Sequence, residues 1–97
     1  MPSYPGGENA RNRFLAENII YPSKAISAGI QGRIYISFII EAEGLVTNVQ
    51  LIKGIGSGCD EEAVRVVKLM PKWNPGKLKG KAVRVLFNMP IDFNLGK

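Results

Sequence analysis

Apolar and polar positions alternate most regularly near the C-terminus. Between Val83 and Leu95 every odd position is apolar: Val83, Val85, Phe87, Met89, Ile91, Phe93 and Leu95. The even positions are Arg84, Leu86, Asn88, Pro90, Asp92 and Asn94. A period of two predicts a strand with one face on a core. A second alternating run, Ile34, Ile36, Phe38 and Ile40 between Arg33, Tyr35, Ser37 and Glu41, predicts another strand, broken in phase only by Ile39. Glu41-Ala42-Glu43-Gly44 reads as a hairpin turn, with Gly44 free to take a positive φ. The return strand runs over 45–53. Val46 falls out of phase there, which predicts a bulge near Thr47.

Three stretches read as helices. Glu8 to Glu17 follows the turn Pro5-Gly6-Gly7 and puts Ala10, Phe14 and Leu15 on one side, with Arg11, Asn12 and Arg13 on the other. Pro22 opens a helix of about two turns that Gly29 ends. The third follows the loop Gly54–Gly58. Asp60 is its expected N-cap, Glu61 and Glu62 suit its first turn, Ala63, Val66, Val67 and Met70 form its buried stripe, and Pro71 stops it. Glu62, Arg65 and Lys68 are expected in water.

Helix, helix, hairpin, helix and final strand make an α+β fold: a three-stranded antiparallel sheet with helices packed on one face. Tyr35, Ser37, Glu41, Arg84 and Asn88 fall on the other, wet face. The final strand pairs with 33–41 and lies at an edge, because Pro90 is tolerated there and not in a sheet centre. Upstream of Pro90 the stretch 82–88 is expected to offer free backbone N–H groups, guarded only by Arg84 and nearby lysines. Such an edge is a liability or a docking site for an extended peptide. About five backbone hydrogen bonds give roughly 1 kcal/mol each. Ordering each peptide residue costs roughly 1–2 kcal/mol. Side chains must therefore supply the surplus, and affinity near micromolar, about −8 kcal/mol, is expected.

Composition narrows the chemistry. The 97 residues fit one domain, with residues 21–95 as its core and 1–20 as an N-terminal extension bearing a short helix. One cysteine and no histidine exclude an internal disulfide, a zinc site of the usual kind and histidine-assisted nucleophiles. No catalytic, metal or cofactor site is expected, and the chain reads as a binding domain rather than an enzyme. The net charge of +5 favours acidic partners. The basic residues are spread out, however, apart from Lys77, Lys79, Lys81 and Arg84, which argues against nucleic acid. Asp60, Glu61 and Glu62 would repel phosphate beside the Gly54–Gly58 loop, so nucleotide binding is not expected there. Cys59 reads as a small buried residue, Trp73 as a core anchor, and Tyr21-Pro22 as a helix start with a packed ring.

An ordered set of residues carries a resemblance over nearly the whole chain. It comprises Tyr21-Pro22, Ala25, Gly29-Ile30-Gln31-Gly32, Gly44-x-Val46-x-Asn48-Val49, Asp60-x-x-Ala63, Met70-Pro71-x-Trp73-x-Pro75-Gly76 and Pro90-Ile91-x-Phe93. The set resembles the C-terminal domain of TonB-type energy transducers. The front end, Tyr4-Pro5-Gly6-Gly7-Glu8 with Leu15-Ala16-Glu17-Asn18, is similar to that of Bacteroidetes-type relatives. It departs from the enterobacterial form in that front segment and in Cys59.

The resemblance implies a periplasmic domain tethered to the inner membrane and energised by ExbB and ExbD through an N-terminal part of a longer parent. The start of the chain has no apolar leader, so that parent would carry the anchor. The implied partner is the TonB box of outer-membrane receptors, added as a strand beside the last strand for uptake of siderophores, cobalamin or glycans. Carried onto this chain, the docking strand is Ala82, Val83, Arg84, Val85, Leu86, Phe87 and Asn88, with Asn18 and Tyr21 as neighbouring contacts. Two alternatives stand beside this: a peptidoglycan-binding or self-associating module that forms a strand-swapped homodimer, and the periplasmic end of a membrane-bound sensor.

Overall fold

A computed structural model describes residues 2–94. The element order is α1 (Glu8–Asn18), α2 (Ser23–Ala28), β1 (Gly32–Ile40), β2 (Val46–Lys53), α3 (Cys59–Lys68), β3 (Gly76–Leu78), β4 (Lys81–Val83) and β5 (Val85–Phe93). The main sheet is antiparallel in the order β2-β1-β5, as the alternation predicts.

The even positions of β1, Ile34, Ile36, Phe38 and Ile40, are fully buried. They face Ile91, Met89, Phe87 and Val85 across an unbroken β1–β5 register. Ala63, Val66 and Val67 of α3 and Ala25 of α2 complete this layer. Tyr4, ahead of α1, and Leu15, within it, join the same cluster. A two-way backbone bridge fastens this front segment: Ser3 N donates to Asn74 O at 3.0 Å and Asn74 N to Ser3 O at 2.8 Å.

The hairpin turn forms as expected, with Gly44 at φ 94. A Cβ there would lie 2.1 Å from the carbonyl oxygen of Trp73, so the turn needs glycine for space as well as for φ. The bulge also falls where predicted: Asn48 and Val49 both lie between the pairs Ser37↔Gln50 and Ile39↔Thr47, and Asn48 takes φ 51. A second shift at Ile52 follows.

Five expectations are corrected. The final strand is not one piece: it breaks at Arg84, and β4 pairs with β3 in a separate hairpin, Gly76↔Val83 to Leu78↔Lys81. Lys79 and Gly80, with φ 52 and 80, form its two-residue turn, a left-handed pair for which Lys-Gly is a weak sequence signal. Leu95, expected to continue the strand, lies outside the described residues. Asp60 does not cap α3, since Gly58 holds that position. Its carboxylate instead accepts from the N–H groups of Ile55, at 2.8 Å, and Gly56, clasping the loop. Ser37, expected wet, is only 5% exposed, because the central strand shields it between Gln50 and Asn88.

The other two corrections concern Arg11, placed on the polar side of its helix, and Glu62, expected in water. Arg11 is largely covered, with a side chain 17% exposed, because it lies against the front segment. The Glu62 side chain is 13% exposed and binds the α1–α2 connection.

Candidate peptide-docking edge

β5 is bonded to β1 on one side, and among the described residues no strand pairs with its other side. Which of its backbone groups face outward follows from the ladder. Glu41 N donates to Leu45 O at 2.8 Å, toward β2. Along an antiparallel strand the direction of N–H and C=O alternates. Odd residues of β1 therefore bond β2 and even residues bond β5. Through the register Ile40↔Val85 to Gly32↔Phe93, odd residues of β5 bond inward. The outward row is Leu86, Asn88, Pro90 and Asp92. Pro90, which has no N–H, falls in that row, where it breaks no ladder bond.

This revises the expected run of free N–H groups from Ala82 to Asn88. Val83 already bonds Gly76, while Ala82, opposite Lys77 in a pair whose backbone groups point away from each other, belongs to the β3–β4 hairpin and not to β5. Arg84 lies between the strands, and Val85 and Phe87 bond inward. Leu86 and Asn88 remain as the outward donors of β5 in that stretch, and Asp92 adds another beyond Pro90. The opposite edge of the sheet, β2, is twice bulged and so poorly shaped for a new strand.

Helix α1 runs beside β5 and leaves two clefts against it. One, about 380 Å³, lies between Leu15, Ala16 and Ile19 on one side and Pro90–Asn94 on the other, with Tyr21 at its wall. The other, about 210 Å³, lies between Arg11 and Phe87 and is floored by Tyr4 and Trp73. Trp73 is 3% exposed and packs on Tyr4, Phe38 and Phe87 with ring centroids 5.5, 5.6 and 5.1 Å away.

Tyr21 is a packed ring, T-shaped on Phe93 at 5.3 Å, and its hydroxyl donates to Ile30 O. It stands at the far end of β5 from Leu86, about 20 Å away at roughly 3.3 Å per residue. Asn18 turns its side chain onto its own helix, donating to Phe14 O at 2.8 Å, while its backbone carbonyl accepts from Arg65 at 3.0 Å. The structure thus brings Tyr21 to the edge strand's C-terminal half and leaves Asn18 at the end of α1, where the α1–α2 connection begins.

That connection is held by Glu62, whose carboxylate accepts from Ile20 N at 2.7 Å and from Arg65 at 2.6 Å. The Arg65 hydrogen bonds hold the Glu62 carboxyl below the usual range, the Ile20 N–H adds to the effect, and partial burial opposes it. A lowered folded pKa means that this contact stabilises the fold above the unfolded value, near 4.3, and is lost as pH falls through the folded value. The Ile20 amide resonance is therefore expected to titrate with a midpoint below about 4.3. Glu62→Gln should abolish that step. A midpoint above the ordinary glutamate value would contradict the geometry.

Charge gathers where β5 begins. Lys77, Lys79 and Lys81 stand exposed on the β3–β4 hairpin. Arg84 is already bound to Glu41 at 2.7 Å, and Thr47 also donates to Glu41, at 2.5 Å. These two hydrogen bonds, Arg84 first, lower the Glu41 pKa. Cys59 is buried, and burial, with the nearby Asp60 and Glu61 charges, raises its thiol pKa. Among the described residues no cluster of acidic, Cys or His side chains could hold a metal, and no helix is long and apolar enough to cross a membrane.

Known proteins share this architecture. Two solution structures of the Helicobacter pylori TonB C-terminal domain superpose with TM-scores of 0.67 and 0.68 at 24% identity. The matches cover 89% and 94% of this chain and 78% and 98% of those. The Pseudomonas aeruginosa TonB C-terminal domain gives a TM-score of 0.62 at 25% identity, covering 80% of this chain and 79% of that one. No curated protein sequence matches the chain. The family described as Gram-negative bacterial TonB protein C-terminal matches residues 17–95, and the chain belongs to that family.

Proposed function

We propose that this chain is the periplasmic peptide-binding domain of a TonB-type energy transducer. It binds the TonB box of outer-membrane receptors by strand addition to the outer edge of β5. The transducer would be tethered to the inner membrane and driven through ExbB and ExbD, and the force it passes on would open receptors for siderophores, cobalamin or glycans. The observation that carries this reading is the outward row Leu86, Asn88, Pro90 and Asp92 on an edge that, among the described residues, no strand covers.

A strand reaching from Leu86 to Asp92 needs about seven residues at roughly 3.3 Å each. Pro90 denies it one donor, so its backbone bonds, near 1 kcal/mol each, do not offset the ordering of the peptide. The two clefts beside α1 supply the side-chain contacts that must close the gap. The three lysines of the β3–β4 hairpin favour an acidic residue where the peptide passes the start of β5.

Titration of the isotope-labelled domain with a synthetic TonB-box peptide tests the proposal. Amide shifts are expected at Leu86, Asn88 and Asp92, with a dissociation constant near micromolar. No shift there at millimolar peptide would overturn it. The exposed lysines also suit anionic peptidoglycan, and the open edge suits a second copy. Sedimentation with purified sacculi, or a dimer on a sizing column, together with indifference to the peptide, would favour those readings.

A further inference from the structure

Two residues that line the smaller cleft each carry a buried polar group without a partner. The indole N–H of Trp73 and the Nε–H of Arg11 are both buried with no hydrogen-bond acceptor. Both residues line the same space of about 210 Å³, with Tyr4 and Phe87 as apolar walls. Buried N–H groups in folded proteins are almost always satisfied. Two orphaned donors on residues that share one cleft therefore mark a place for an oxygen acceptor, which reaches them once the covering side chains shift.

The position of that opening links it to the edge strand. Phe87 bonds inward to β1, and its side chain turns to the helix side of the sheet, where it packs on Trp73 at 5.1 Å. In a strand added to β5, the residue directly opposite Phe87 would project its side chain to the same face. That side chain would enter the cleft between Phe87 and α1. Its charge preference can be read from Glu8, which also lines the cleft and whose carboxylate lies 3.3 Å from Arg11 Nη2. The guanidinium charge is already met, and an incoming carboxylate would face Glu8. A neutral acceptor avoids that repulsion.

We infer that the cleft between Arg11, Trp73 and Phe87 is a specificity subsite that receives a side-chain amide, Asn or Gln, of the bound peptide, hydrogen-bonded through its carbonyl oxygen to Trp73 Nε1 and Arg11 Nε. The inference rests on strand addition at β5.

The test uses acetylated, amidated seven-residue peptides in which Val alternates with Asn, Asp or Ala. Trp73 is the only tryptophan, so its fluorescence reports on the cleft directly. Amide shifts of Leu86 and Asn88 report separately on strand addition. The Asn peptide is expected to bind about fivefold or more tighter than the Ala peptide, the factor one net hydrogen bond provides. It should shift the Trp73 emission where the Ala peptide does not. Arg11→Leu and Trp73→Phe should each erase most of that preference, read by amide shifts, while the Ala peptide still perturbs Leu86 and Asn88. If Arg11→Leu does not fold, Trp73→Phe gives the same answer.

Equal binding of the Asn and Ala peptides, with shifts at Leu86 and Asn88, would overturn the subsite and leave strand addition standing. The donors would then serve a water alone. Preference for the Asp peptide would overturn the assignment of a neutral amide. Absence of shifts at Leu86 and Asn88 with every peptide, and with a TonB box, would overturn both.

Discussion

Replacing Trp73 with alanine is expected to lower the free energy of unfolding by about 3–5 kcal/mol, the range for deleting a large buried aromatic. Trp73 is 3% exposed and touches three rings: Tyr4 of the front segment, Phe38 of the central strand and Phe87 of the edge strand. Its backbone N–H also donates to Gly44 O at 2.9 Å, fixing the segment after α3 to the hairpin turn. One side chain therefore ties together parts of the chain far apart in sequence, and its cavity cannot close by moving any one of them. A domain of this size has roughly 5–15 kcal/mol in all, so the variant stands close to unfolding. The loss corresponds to a drop of roughly 15 °C or more in Tm. Urea unfolding followed by far-ultraviolet circular dichroism measures it. Trp73→Phe should lose far less, because two-thirds or so of the contact area survives and no protein hydrogen bond is removed. A loss under about 2 kcal/mol for Trp73→Ala would contradict this account of the core.

The sheet was legible because its signal is local and repeated. In β1 and β5 every second residue faces the α3 side, so Ile34 to Ile40 and Val85 to Phe93 declare their buried face without outside help. Pro90 placed β5 at the edge for a chemical reason that holds in any fold. Less visible were features set by contacts between distant segments. The β3–β4 hairpin hangs on a Lys79-Gly80 turn that composition barely distinguishes from a loop, and it takes the Val83 N–H from the free edge and sets Ala82 apart from β5. Asp60 satisfied every rule for an N-cap, yet its carboxylate serves the N–H groups of Ile55 and Gly56 across the preceding loop. Arg11 and Glu62 sit on helix faces that look solvated in a helical projection. They are covered because the front segment and the α1–α2 connection fold over them. The clefts beside α1 depend on how that helix leans against β5, and no spacing in the sequence encodes a lean. Phe87 is half-buried beside the smaller cleft, and its odd position in the β5 alternation was the one available pointer to that site.

Asn88→Pro is expected to weaken binding of a TonB-box peptide about tenfold or more while leaving the domain folded. The two halves of that expectation come from one alternation. Asn88 lies opposite Ser37, in a pair whose backbone groups point away from each other. Its N–H faces the open edge, so proline there removes no bond from the β1–β5 ladder, just as Pro90 removes none two residues on. The preceding residue, Phe87, is already extended, the conformation that proline prefers before it. The same substitution one residue earlier, Phe87→Pro, would delete a ladder bond to Phe38 and a buried ring, and should unfold the sheet. For the incoming strand the effect is reversed. Asn88 is one of two outward donors between Val85 and Pro90, and the proline ring would stand where the peptide's carbonyl must approach. Losing one net hydrogen bond accounts for about fivefold, and the obstruction adds to it. Isothermal titration with the peptide reads the affinity, and thermal unfolding confirms the fold. Wild-type affinity in a folded Asn88→Pro domain would place the peptide elsewhere than on β5. Unfolding of that variant would show that Asn88 bonds inward, and would reverse the assignment of the outward row.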